Sequence, residues 1–185
     1  MKTNKNTGFT LIELVVVIVI LAVLAVTALP RFLNYQRDAH ESRADAAFAS
    51  FESAVNLYHA KWLSEGEPAS SQTVDYGSGD IYPSVNGFPI TVGQAPSDQD
   101  VPFNGQDCTE LWHALMTTDL TISDMDANRP IIPSPTDIVA WYNSSSQCIY
   151  HYTTGYSEEE MMPLMTYSPI TGEITISEAH NNPSE

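Results

Sequence analysis

Positive charge is scarce in this sequence. Only seven of its 185 residues are Lys or Arg, against 23 Asp or Glu, which leaves a net charge of −16. A protein that grips nucleic acid does so by neutralising phosphates with Lys and Arg, so this composition argues against a nucleic-acid partner. The few cations are also unevenly placed. Lys2, Lys5, Arg31, Arg37 and Arg43 fall within the first 43 positions, and only Lys61 and Arg129 follow. The chain therefore has a basic start and a very acidic remainder, which reads as a solvated acidic surface.

Cysteine is nearly absent too. Cys108 and Cys148 are the whole supply. Two thiols alone could be a buried pair or a disulfide, and the compartment decides between them.

Catalytic and metal-binding patterns are missing as well. No G-x-S-x-G or comparable nucleophile motif occurs. His40, His59, His113, His151 and His180 show no i,i+4 pair enclosing a glutamate, so a zinc site is not expected, and the histidines read as surface or hydrogen-bonded residues. Asp124-Met125-Asp126-Ala127-Asn128 imitates the start of a calcium loop. Its sixth position is Arg129 instead of Gly and its twelfth is Pro135 instead of Glu, so it reads as an acidic loop. Glu158-Glu159-Glu160 reads as a charge run at a turn. No cofactor and no enzymatic activity are expected.

What is abundant is apolar sequence at the start. Residues 1–8, MKTNKNTG, are polar and basic, and residues 9–29, FTLIELVVVIVILAVLAVTAL, follow. After Glu13 the only polar residue of that run is Thr27. As a helix the run spans about 31 Å, enough to cross the hydrocarbon of a bilayer. It is apolar on every face, so it must sit in lipid or in a bundle of like helices. Lys2 and Lys5 place the N-terminus in the cytoplasm.

An ordinary secretory signal would be cut after this run, but Ala25-Val26-Thr27 and Ala22-Val23-Leu24 are mediocre sites for that. Glu13 suggests another use. A carboxylate in a spanning segment costs a few kcal/mol unless it is paired. Cleavage between Gly8 and Phe9 would give Phe9 a free α-amine, a cation one helical turn from Glu13 or from the Glu13 of a neighbouring copy. Such a pair sets register between apolar helices more than it adds stability.

Gly8-Phe9-Thr10-Leu11-Ile12-Glu13-Leu14 resembles the type III signal of type IV pilins and type II secretion pseudopilins. The resemblance implies that a prepilin peptidase cuts after Gly8 and methylates Phe9, and that Glu13 helps dock the subunit into a filament. Pro30 falls where many bacterial pilins carry a proline. Residues 14–28 contain no Gly, so Pro30 is the only intrinsic breaker of the apolar helix.

Beyond Pro30 the helical pattern resumes, with Phe48, Phe51, Val55, Tyr58 and Trp62 on one face. The polar residues Asp45, Ser50, Glu52, Asn56 and Lys61 fall mostly elsewhere. One helix is predicted from about Phe9 to Leu63, bent near Pro30 and ended by Gly66 and Pro68. Residues 64–106 read as a long connection with strand-like pieces such as Phe88–Val92. Asp107–Met116 reads as a short helix with Asp107 or Thr109 as N-cap, and 120–136 as a Pro-rich loop. Two hairpins follow, one from strands 138–142 and 148–152, the other from strands 162–167 and 173–177.

The expected fold is α+β: a long N-terminal helix, half transmembrane or filament core and half amphipathic, packed on an antiparallel sheet head with one disulfide. The expected organisation is a cleaved leader (1–8), an apolar transmembrane or filament-core helix (9–30) and a globular head (31–185). The layout is similar to that of mannose-sensitive haemagglutinin-type pilins. Export to an oxidising compartment would join Cys108 to Cys148.

The resemblance further implies a homopolymer and storage in the inner membrane before assembly into an extracellular pilus. It implies as partners the prepilin peptidase, an assembly platform and an assembly ATPase, and as roles adhesion, biofilm formation or motility. The alternatives are a type II secretion pseudopilin, or a membrane-anchored binding module that never polymerises.

Overall fold

The protein was analysed as a computed structural model, which describes residues 9–77, 79–96, 104–125, 130–143 and 146–181. Two compact units divide the chain, Met1–Ala39 and His40–Glu185. Helix α1, Leu11–Ser64, enters both.

Within the first unit α1 is helical through Pro30, although a proline supplies no N–H to the carbonyl four residues earlier. The helix ends in the second unit with a Schellman closure. Gly66 N–H bonds to the Leu63 carbonyl and Glu67 N–H to the Trp62 carbonyl, with Gly66 left-handed at φ +86°. A glycine takes that conformation without penalty.

The second unit is α+β, as the sequence predicts. The residues after α1 are more ordered than a loop, however. They form a three-stranded antiparallel sheet of β1 (Val74–Tyr76), β2 (Gly79–Pro83) and β3 (Pro89–Val92), the last strand falling within the predicted run Phe88–Val92. Helix α2, Gly105–Leu115, follows. Its N-cap is Asn104, not Asp107 or Thr109. Asn104 Oδ1 accepts from Gln106 N at 2.7 Å and Asp107 N at 3.2 Å, while Asp107 Oδ2 accepts from Asn104 N at 2.8 Å. That reciprocal pattern is a capping box, so Asp107 completes the cap from the third helical position.

The Pro-rich stretch contains β4 (Ile122–Asp124), which pairs in parallel with β5 (Ile138–Asn143). The remainder of this five-stranded sheet is antiparallel: β6 (Gln147–Tyr152), β7 (Met162–Tyr167) and β8 (Ile174–Ala179), in the order β4-β5-β6-β7-β8. Both predicted hairpins are present.

The helix face read from the sequence is the one that packs. Phe48, Phe51, Val55, Tyr58 and Trp62 are all buried, and Asp45, Ser50, Glu52 and Asn56 are exposed. Phe51 is the hub. Its ring lies 5.4 Å from Trp112 on α2, 5.3 Å from Tyr150 on β6 and 5.5 Å from Tyr167 on β7. One side chain thus ties α1 to the second helix and the larger sheet.

Three buried phenols make the polar connections. Tyr58 donates to the Ile81 carbonyl, Tyr150 to that of Cys108 and Tyr167 to that of Pro89, at 2.9, 3.0 and 2.7 Å. Burial pushes all three hydroxyls above the ordinary tyrosine range, so they stay protonated donors.

Cys108 and Cys148 are bonded, with Cα atoms 5.6 Å apart across a sequence separation of 40. The bridge fastens α2 to β6. By chain entropy a loop of that length stabilises the fold by about 4 kcal/mol. Replacing both cysteines by serine should therefore lower the urea unfolding free energy of the chain by about that amount, read by circular dichroism in detergent. Unchanged stability would show that the bridge is dispensable.

Candidate processing and assembly site

Residues Leu11–Leu29 are long and apolar enough to cross a membrane, and none of that stretch is buried within the chain. Val26 is 75% exposed and Phe9 91%. A helix so exposed on every face needs a surrounding that water does not provide. Its one interior hydroxyl is already satisfied, since Thr27 Oγ1 donates to the Leu24 carbonyl at 2.9 Å. The run therefore presents no unpaired side-chain polar group until its start.

At that start sits Glu13. Thr10 stands just before α1 and binds it from two sides. Its backbone N–H donates to Glu13 Oε2 at 2.8 Å and its hydroxyl to the same oxygen at 2.7 Å. Glu13 N returns a longer bond to Thr10 Oγ1 at 3.3 Å. Thr10-Leu11-Ile12-Glu13 is thus a capping box, whose signature is a Thr followed three residues later by Glu. The sequence contains that pattern at the head of the apolar run. The carboxylate also lies at the positive end of the helix dipole.

The sequence-derived site residues fall into three places. Phe9 and Glu13 lie together at the start of α1, four residues apart, and Gly8 lies outside the described residues. Pro30 is inside α1. Cys108 and Cys148 are joined in the second unit.

The rejected candidates can also be placed. Asp124 ends β4, and residues 126–129 of the calcium-like loop lie outside the described residues. Among the described residues no three His, Cys, Asp or Glu side chains are grouped to hold a metal. His40 contacts Tyr152 Oη at 3.3 Å and His59 the Gly87 carbonyl at 3.0 Å, as expected of bonded histidines. His151 departs from that expectation: it is buried, and neither ring nitrogen has a hydrogen-bond partner among the described residues.

Against this geometry stands a family match over residues 3–29, to the prokaryotic N-terminal methylation motif. That motif is the signal of type IV pilins and pseudopilins. It implies processing by a prepilin peptidase and fits a membrane-anchored precursor. No curated protein and no solved structure matches the chain.

Thr10→Val should remove the cap's hydroxyl and fray the first turn of α1 by roughly 1 kcal/mol. Amide exchange at residues 11–14 of the precursor in micelles should accelerate several-fold while residues 18–26 stay protected. Equal protection in the variant would remove Thr10 from the cap.

Proposed function

We propose that this chain is the structural subunit of a type IV pilus, made as an inner-membrane precursor and polymerised outside the cell through α1. The observation that carries the reading is the methylation motif joined to an apolar helix that its own chain leaves uncovered, with one carboxylate at its start. A simple anchor has no use for that carboxylate.

The prepilin peptidase removes residues 1–8 by cutting between Gly8 and Phe9, and methylates the new amine of Phe9. Residues 9–30 then serve twice, first as a membrane anchor and later as filament core, and residues 31–185 form the outward head. In the filament the Phe9 amine of one copy meets the Glu13 carboxylate of another. The Thr10 cap satisfies Glu13 until that cation arrives, which lowers the cost of keeping it in the membrane. The assembly platform and ATPase lift the subunit out of the bilayer, and Pro30 gives the helix a place to yield. The acidic heads keep the fibre soluble and suit it to adhesion, biofilm formation or motility.

Shearing cells and taking the intact mass of the released protein tests this reading. A released fibre whose subunits begin at methylated Phe9 is the expected result. The same methylated protein retained by the cells would instead identify a pseudopilin of type II secretion, and an intact Met1 start would identify an anchored, non-polymerising module.

Glu13→Ala should leave cleavage largely intact while cutting the yield of sheared fibre at least tenfold, measured by immunoblot of cell and sheared fractions. Normal fibre yield would remove the charge pair from assembly.

A further inference from the structure

His151 lies in the middle of the large sheet at 1% exposure. Its ring stacks on Trp141 with centroids 4.4 Å apart and planes 25° from parallel. Neither nitrogen is hydrogen-bonded among the described residues. A buried imidazole with no partner is unusual, because buried polar groups are nearly always paired. Packing alone would be served as well by an apolar side chain.

Strand register shows what shares its face. Ser123, Val139, His151, Leu164 and Ser177 are aligned across β4 to β8. Trp141, two residues along β5, points to the same side, and Thr153 follows just past the end of β6. The segment Ile131–Thr136 reaches this side at both ends. Ser123 Oγ lies 2.9 Å from Thr136 Oγ1, and Thr153 Oγ1 donates to the Thr136 carbonyl at 2.7 Å. At the far end Asn181, just beyond β8, bonds both the N–H and the carbonyl of Ile132, at 2.8 and 3.2 Å. Ile131 and Ile132 are themselves buried. The segment is a strap tied at one end to Asn181, beyond β8, and at the other to Thr153 and to Ser123, the β4 member of the row that holds His151.

Among the described residues the Asp137 carboxylate, two residues before Val139, falls on the imidazole's side and is already hydrogen-bonded. The strap has no titratable residue. On β4 Asp124 is one position off Ser123, and on β8 Glu178 is one position off Ser177, so both point to the opposite side. Glu178 lines a separate groove with Glu41 and Asp45 on α1. Tyr150 and Tyr152 on β6 and Tyr167 on β7 also point away. Asp137, ahead of β5, spends its carboxylate on Thr121 and Thr154, and His180 beyond β8 is exposed.

We propose that His151 is an acid-operated latch for the head: on taking up a proton its imidazolium must reach water, and the Ile131–Thr136 strap parts from the sheet to admit it. The buried neutral ring is tolerated, whereas the cation, with no carboxylate bonded to it among the described residues, is not.

The pH window follows from the burial. Burial lowers the imidazole from an ordinary 6.5 to about 4. Between those values the opened state binds a proton that the closed state refuses. Closure is therefore unpenalised above pH 6.5 and weakens about tenfold for each unit below it, by roughly a few hundred-fold in all.

The test uses the full chain in detergent micelles, between pH 7.5 and 3.5. Mass spectrometry of histidine C2–H exchange reads each imidazole separately, and amide exchange, corrected for intrinsic rate, reads peptide 130–137. His151 should titrate about two units below the ordinary imidazole value, with the strap losing protection as the pH falls through the same window. His151→Leu should abolish the strap's acid response, and His180→Gln should leave it intact. A His151 midpoint near 6.5 in the folded chain, or a strap that opens at the same pH in His151→Leu, would overturn the proposal. If the Leu variant does not fold, the wild-type histidine midpoint decides alone.

Discussion

The account depends on one imbalance: the chain makes an apolar helix that it does not bury. Fourteen large apolar side chains between Leu11 and Leu29 stand exposed. At roughly 1.5 kcal/mol or more for each one removed from water, covering them is worth tens of kcal/mol. The carboxylate at the start of the same helix costs only a few kcal/mol in a membrane. The apolar term therefore sets where the helix goes, and under the proposed function the carboxylate sets its register there. A membrane satisfies the first demand alone, whereas a bundle of like helices with free N-terminal amines satisfies both.

The head meets the opposite problem. A single amphipathic helix and short strands have to make a stable core. The solution concentrates contacts on a few side chains. Phe51 joins α1 to α2 and to two strands, while three buried tyrosines bond carbonyls of β2, α2 and β3. The disulfide fixes α2 to β6 covalently. Close packing leaves little room at the edges. At Gly87, for example, an added Cβ would lie 2.2 Å from the Trp62 ring. The acidic residues stay outside this core, consistent with a surface made to be solvated.

Much of this was legible in the residues. The methylation motif and its apolar run are contiguous, so reading them needs no folding. The buried stripe from Phe48 to Trp62 follows helical period and survives unchanged. The two hairpins are local, with strands and turns adjacent in sequence. What escaped was set by contacts distant in the chain or by weak local signals. Strands β1 and β2 are three and five residues long and rich in Asp, Gly and Pro, and they are strands because they pair with each other and with β3. Strand β4 is held by parallel pairing to β5 across a Pro-rich segment. The isolation of His151 is a property of five aligned strands, and no spacing announces it. The Thr10–Glu13 cap has a local signature, Thr followed three residues later by Glu, set within an apolar run where the carboxylate has both a near hydroxyl and a distant cation open to it.

The most direct test of the central claim is a near-atomic electron cryomicroscopy map of the assembled protein isolated from cells. The account predicts helices α1 buried against one another over Leu11–Leu29, with each Glu13 carboxylate within about 3 Å of a methylated Phe9 amine from an adjacent copy. An assembly in which those helices remain apart and lipid-covered, with Glu13 bonded only to its own Thr10, would contradict it.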